Sequence, residues 1–224
     1  MKKKKNEPKV KVYSRKCTEL EILIIYRMMV LRIAEHLSGE EVSFLMGKPL
    51  DYFDKIETFK RRSILALDLY FFTVVLNFKD PGSAYPIFVK PNNAKNNYEM
   101  IISNYEDFVS YEVRQLDANN ILVKTIFLLL DNNHAVERVY VSTADELEKL
   151  KLLMEELFKE GYFKDERTAY EIRYTCASRL ESNVKPKMLM KTLQTYLTEK
   201  DGFNLIQRKS SKLNFNGFVY IEKK

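Results

Sequence analysis

His36, His134, Cys17 and Cys176 are the residues of the 224-residue chain whose side chains most readily act as nucleophiles, bases or soft metal ligands near neutral pH. Their spacing gives them little to do. The two cysteines have no CxxC partner, so neither a tetrahedral metal site nor a disulfide framework is implied. His36 falls where a helix should end, and a partial positive charge is favourable there. His134 falls in an expected turn. Cys176, close to Tyr174 and Ala177, reads as a small buried residue. The chain has no P-loop, no GxGxxG and no G-x-S-x-G elbow. The reading is therefore non-enzymatic, with no catalytic residues, no cofactor and no metal.

The cations carry a clearer signal. Residues 1–16 hold eight Lys/Arg against one Glu, net +7. Residues 185–224 hold nine against three acids, net +6, and residues 17–184 hold twenty against twenty-seven, net −7. Basic ends flanking an acidic middle suit contact with a polyanion at the ends. Lys2–Lys5 read as a solvated tail. Glu222-Lys223-Lys224 has an ExK spacing known from metal-dependent nucleases, but it lacks a convincing upstream Asp and is discounted. The apolar stretch Ile22–Ala34 is broken by Arg27 and Arg32, so no window reaches the length of a membrane span. A reducing, cytoplasmic setting is expected, with no membrane partner.

The elements that must position these residues are mainly helical, with a smaller β part: an α+β chain. Thr18 precedes Glu21 by three, a capping-box spacing, and Leu20, Leu23, Ile24, Met28, Leu31 and Ala34 recur at helical intervals. Ser38 opens a second helix, Pro49 sits in the first turn of a third, and Arg61–Phe78 predicts one more long apolar helix. Lys79–Asn97 is rich in Asn and Pro and reads as a linker or crossover. Tyr98–Ser103, Val109–Leu116 and Ile121–Leu130 predict a small antiparallel sheet, with a hairpin turn at 117–120 and Val136–Val141 as a fourth strand. Thr143 and Glu146 form another capping box, and Gly161 stops that helix. Helices over Asp165–Leu180 and Pro186–Lys200 follow, then two strands joined through Ser210–Gly217. The expected divisions are a basic tail at 1–17, a helical domain at 18–79, a linker and small sheet at 80–142, and a last domain at 143–224.

Leu37–Phe59 resembles the helix-turn-helix core of lambda-repressor-like (XRE/Cro) regulators. Glu40 and Glu41 match the acidic pair, Val42 the hydrophobe, Ser43 the small residue and Gly47 the turn. Phe53 and Ile56 match the core of the second helix, and Glu57 completes its Ile-Glu pair. The resemblance extends over about residues 25–78. It implies DNA contact through Lys48, Tyr52 and Lys55, with Lys60, Arg61 and Arg62 beside them as phosphate ligands. The chain departs from the pattern in placing Lys48 after the glycine and Asp51 and Asp54 where bases would be met. Leu37–Arg62 holds five cations and five acids, and DNA affinity is largely phosphate neutralisation. The alternative is a retained scaffold that binds a protein partner through Leu50 and Tyr52.

Residues 144–224 look like a winged helix in element order: three helices, strand, turn, strand. On the third helix, Met188, Leu189, Leu193, Tyr196 and Leu197 form the apolar stripe. Lys187, Lys191, Gln194 and Thr195 fall outside it, suited to phosphates and base edges. Arg208, Lys209 and Lys212 supply a basic wing. The expected function is a transcription-associated regulator that binds double-stranded DNA, with a homodimer letting the modules span adjacent half-sites. The competing reading is a protein-interaction adaptor that keeps the helix-turn-helix fold without reading DNA and uses Leu50, Tyr52 and the central sheet for a partner. A weaker third reading is a small-molecule sensor with its pocket in the 85–141 sheet.

Overall fold

The computed structural model describes residues 8–61, 63–78, 80–86, 94–132, 143–198, 202–212 and 215–223. The chain is α+β and divides into two compact units. The first comprises Met1–Ser38 and Phe53–Tyr140, the second Gly39–Tyr52 and Val141–Lys224.

The first unit is built on a four-stranded antiparallel sheet, ordered β1 (Lys9–Thr18), β2 (Lys95–Asn104), β3 (Val109–Leu116), β4 (Leu122–Asp131). The alternation that makes β1 a strand was hidden by its charge: Lys9, Lys11, Tyr13 and Arg15 occupy one face, Val10, Val12, Ser14 and Lys16 the other. The expected tail at 1–17 is thus a sheet strand from Lys9 onward, paired with β2 from Lys9–Asn104 to Thr18–Lys95. Residues 1–7, including Lys2–Lys5, lie outside the described residues, as does the strand expected at Val136–Val141. The hairpin turn at 117–120 is present. Asp117 accepts hydrogen bonds from the amides of Asn119 and Ile121 at 2.8 Å, and Asn120 takes the left-handed conformation at φ +62°.

One face of the sheet lines up Tyr13, Met100, Val113 and Phe127 across all four strands. Helix α1 (Glu19–Ala34) covers this face, with Tyr26 packed on Phe127 at 4.9 Å between ring centres. Its capping box is formed, Thr18 accepting from the Glu21 amide while Glu21 accepts from the Thr18 amide. Short α3 (Tyr52–Glu57) and α4 (Ala66–Val75) add Phe53 and Phe72, stacked at 5.5 Å. The helix expected over Arg61–Phe78 is shorter at both ends. Leu65 offers no side-chain cap, and Asn77 turns left-handed at φ +59° just past the C-terminus.

The second unit contains α2 (Gly39–Leu45), α5 (Ala144–Lys159), α6 (Ala169–Leu180), α7 (Pro186–Leu197) and a hairpin of β5 (Leu205–Lys209) and β6 (Phe218–Glu222). Phe158 is the hub of its core, with Phe163, Tyr196 and Phe203 at 4.7, 5.2 and 4.9 Å. The capping box at Thr143–Glu146 is formed, and Gly161 takes φ +77° after α5. A third box, Thr168–Glu171, opens α6. Its T-x-x-E spacing was visible in the sequence.

Candidate nucleic-acid interface

α7 splits into two chemical faces. Met188, Leu189, Thr192, Leu193 and Tyr196 are buried. Lys187, Lys191, Gln194 and Thr195 are exposed, at spacings of four, three and one residues that place them on one side of the helix. Pro186 occupies the first turn, where its missing N–H costs no hydrogen bond.

Two clasps hold the hairpin within the second unit. On one side the amide of Phe218 donates to the Gly47 carbonyl at 2.6 Å, and Lys48 Nζ donates to the Asn216 carbonyl at 2.7 Å. Gly47 has φ +64°, and a Cβ there would meet the Phe218 carbonyl oxygen at 2.7 Å, so only glycine fits. On the other side Arg167 and Tyr220 exchange backbone hydrogen bonds of 2.9 and 2.8 Å. Beside that bridge Glu166 accepts from Arg208 Nη2 at 3.1 Å and from Ser210 Oγ at 2.9 Å. Burial pushes the Glu166 carboxyl up, but the hydrogen bonds from Ser210, Ser211 and Arg208 outweigh it and hold it below its ordinary value. Lys209 and Lys212 are exposed on the same hairpin. A groove of about 160 Å³ runs between α7, the hairpin and the turn after α2, lined by Lys48, Leu50, Leu193, Gln194, Gln207 and Tyr220 among others.

The residues expected to form an N-terminal DNA site fall in both units, Lys48 and Tyr52 in the second and Lys55, Lys60 and Arg61 in the first. Lys48 is engaged with the hairpin and lies 5.5 Å from the Tyr52 ring centre. Tyr52 is 6 % exposed, while Leu50 is 46 % exposed. Lys55 and Lys60 are exposed, with Lys60 Nζ 5.3 Å from the Tyr13 ring. Arg61 Nη2 lies 3.7 Å from Asp68, and Arg62 is outside the described residues. The expected helix-turn-helix is also divided: α2 and the Gly47 turn belong to the second unit, and α3 from Phe53 onward to the first. Glu57, read as part of a DNA-facing helix, is buried. It accepts from Arg32 Nε at 2.8 Å, while Arg32 Nη1 donates to Asp131 at 2.7 Å and to the Leu37 carbonyl at 2.9 Å.

Three functional or organising residues escaped the sequence reading. Arg32 stood in an apolar helix, and a buried guanidinium demands a carboxylate; that signal was present. Glu166 and the clasping role of Gly47 depend on contacts distant in sequence and left no local mark. Burial pushes the thiols of Cys17 to about 11 and Cys176 to about 12, so both stay protonated at neutral pH and are poor nucleophiles. Among the described residues no helix is long and apolar enough to cross a membrane. Comparison with protein-family models, with curated proteins and with solved structures finds no match.

Proposed function

We propose that this chain is a non-enzymatic, transcription-associated protein that binds double-stranded DNA through α7 and the β5–β6 hairpin. The observation that carries the reading is the exposed face of α7, where Lys187, Lys191, Gln194 and Thr195 stand together on a helix anchored by its other side. The order α5, α6, α7, β5, β6 supports a winged-helix reading of this unit. Lys187 and Lys191 neutralise phosphates, Gln194 and Thr195 present groups of the kind that read base edges, and Lys209 and Lys212 flank the helix from the hairpin. Arg208 contributes less than its charge suggests, because Glu166 already holds it.

The test is a salt titration of full-length protein binding to a random DNA duplex, beside a variant with Lys187, Lys191, Lys209 and Lys212 changed to Gln. Each lost phosphate contact flattens the slope of log affinity against log salt by about 0.9. An unchanged slope removes this site.

A second reading, a protein-interaction adaptor, draws on the outer face of the four-stranded sheet. Val12, Ile101, Glu112 and Leu128 line up across it, followed by Val10, Ser103, Ser110 and Leu130, and the four residues Val10, Val12, Leu128 and Leu130 are exposed. Changing Val12 and Leu128 to Ser separates the readings, since it abolishes adaptor function and leaves DNA binding intact.

A further inference from the structure

Glu166 is an acid in a place where a DNA-binding surface gains nothing from negative charge. It is 7 % exposed, in the loop between α5 and α6. Its two oxygens accept from Arg208 Nη2 at 3.1 Å, Ser210 Oγ at 2.9 Å, Ser211 Oγ at 3.0 Å and the Ser211 amide at 3.2 Å. Ser210 Oγ in turn accepts from the Lys212 amide at 3.0 Å. One carboxylate therefore fixes the backbone and side chains of the stretch that carries Arg208, Lys209 and Lys212.

We infer that Glu166 is the positioning residue of the DNA-binding hairpin: it raises affinity for duplex DNA, despite its charge, by holding the basic stretch 208–212 in its bound shape. The inference rests on the DNA-binding reading above. A stretch ordered before binding does not have to be ordered during it. The neighbouring Arg167–Tyr220 backbone bridge fixes the base of the hairpin without involving the carboxylate, so removal of Glu166 loosens the tip while the unit stays folded.

The sign of the effect makes the proposal testable. Simple electrostatics predicts that Glu166→Gln, which deletes a negative charge beside three cations, tightens DNA binding. The latch predicts weaker binding by roughly three- to tenfold, the ordering cost of one or two side chains. A Ser210→Ala/Ser211→Ala variant removes two of the latch's donors without changing charge and is expected to weaken binding in the same direction. Hydrogen exchange at the backbone amide of residue 211, measured without DNA on the full chain and corrected for the intrinsic rate of the residue there, is expected to accelerate in both variants. Tighter binding by Glu166→Gln, or an unchanged exchange rate at residue 211, overturns the inference. Should Glu166→Gln fail to fold, the serine variant decides by the same two measurements. If the wild-type chain shows no salt-dependent duplex binding, the DNA reading itself has failed, and the exchange data still report whether the latch exists.

Discussion

Arg32 and Glu57 meet at 2.8 Å inside the first unit, with the Arg32 side chain only 2 % exposed and Asp131 closing on the same guanidinium at 2.7 Å. The pair ties α1 to the end of α3, and Asp131 adds the last residue of β4. A charge taken this far from water survives only with full pairing. Changing Arg32 to Met leaves two carboxylates facing each other without a cation. The expected cost is about 3–5 kcal/mol, the range for breaking a buried pair. Urea unfolding of the first unit measures it. A loss within experimental error would show that the carboxylates find water or protons at no cost.

The same cluster predicts a dependence on pH. Burial raises the Glu57 carboxyl above its ordinary value, with the Arg32 guanidinium opposing. The folded state then binds this proton more tightly than the unfolded chain does. Stability from this group is greatest below the ordinary glutamate range and declines as pH rises from there to the folded value. The other groups facing Glu57 are Asp131, Asp54 and Tyr111, and burial raises the Tyr111 hydroxyl too. Glu57→Gln keeps the neutral form at every pH and is expected to flatten the slope, read by melting at a series of pH values. A slope identical to wild type assigns the dependence to another residue.

Gly47 makes a separate prediction for the second unit. Alanine there is strained twice, by φ +64° and by the Phe218 carbonyl 2.7 Å from the new Cβ. The left-handed conformation alone costs of order 1–3 kcal/mol. Gly47→Ala is expected to lower the melting temperature and to detach the Lys48–Asn216 contact. Amide shifts at Asn216–Phe218 read the second effect. Retention of those shifts with a lower melting point would mean that the strain is absorbed elsewhere than in the hairpin.

Much of this fold was legible locally. Thr18–Glu21 and Thr143–Glu146 announced two helices, Asp117–Asn120 a turn, and the α7 stripe separated Met188, Leu189 and Leu193 from Lys187, Lys191 and Gln194. What was not legible depends on partners distant in the chain. β1 has the period of a strand, but its cations read as a tail until β2 supplies the pairing partner. The α2–α3 segment has the rhythm of a helix-turn-helix, and both of its helices carry buried positions. Periodicity states that a face is covered without naming what covers it. Val42, Phe44 and Leu45, which belong to the second unit, and Phe53 and Ile56, which belong to the first, are all buried.

That division sets the last prediction. Residues 143–224 have the look of a complete domain in sequence, yet the second unit includes Gly39–Tyr52. Four apolar side chains of that segment, Val42, Phe44, Leu45 and Met46, are buried. Each contributes about 1.5–3 kcal/mol when fully removed from water. A whole domain is typically stable by only about 5–15 kcal/mol, so the loss of all four is comparable to the total. The clasp at Gly47 and Lys48 is lost with them. A fragment of residues 143–224 alone is expected to melt without cooperativity. The same fragment with residues 39–52 joined by a flexible linker is expected to regain a sharp transition and the Phe218 amide protection. A cooperative melt from the bare fragment would show that α2 is an accessory to this unit rather than part of its core.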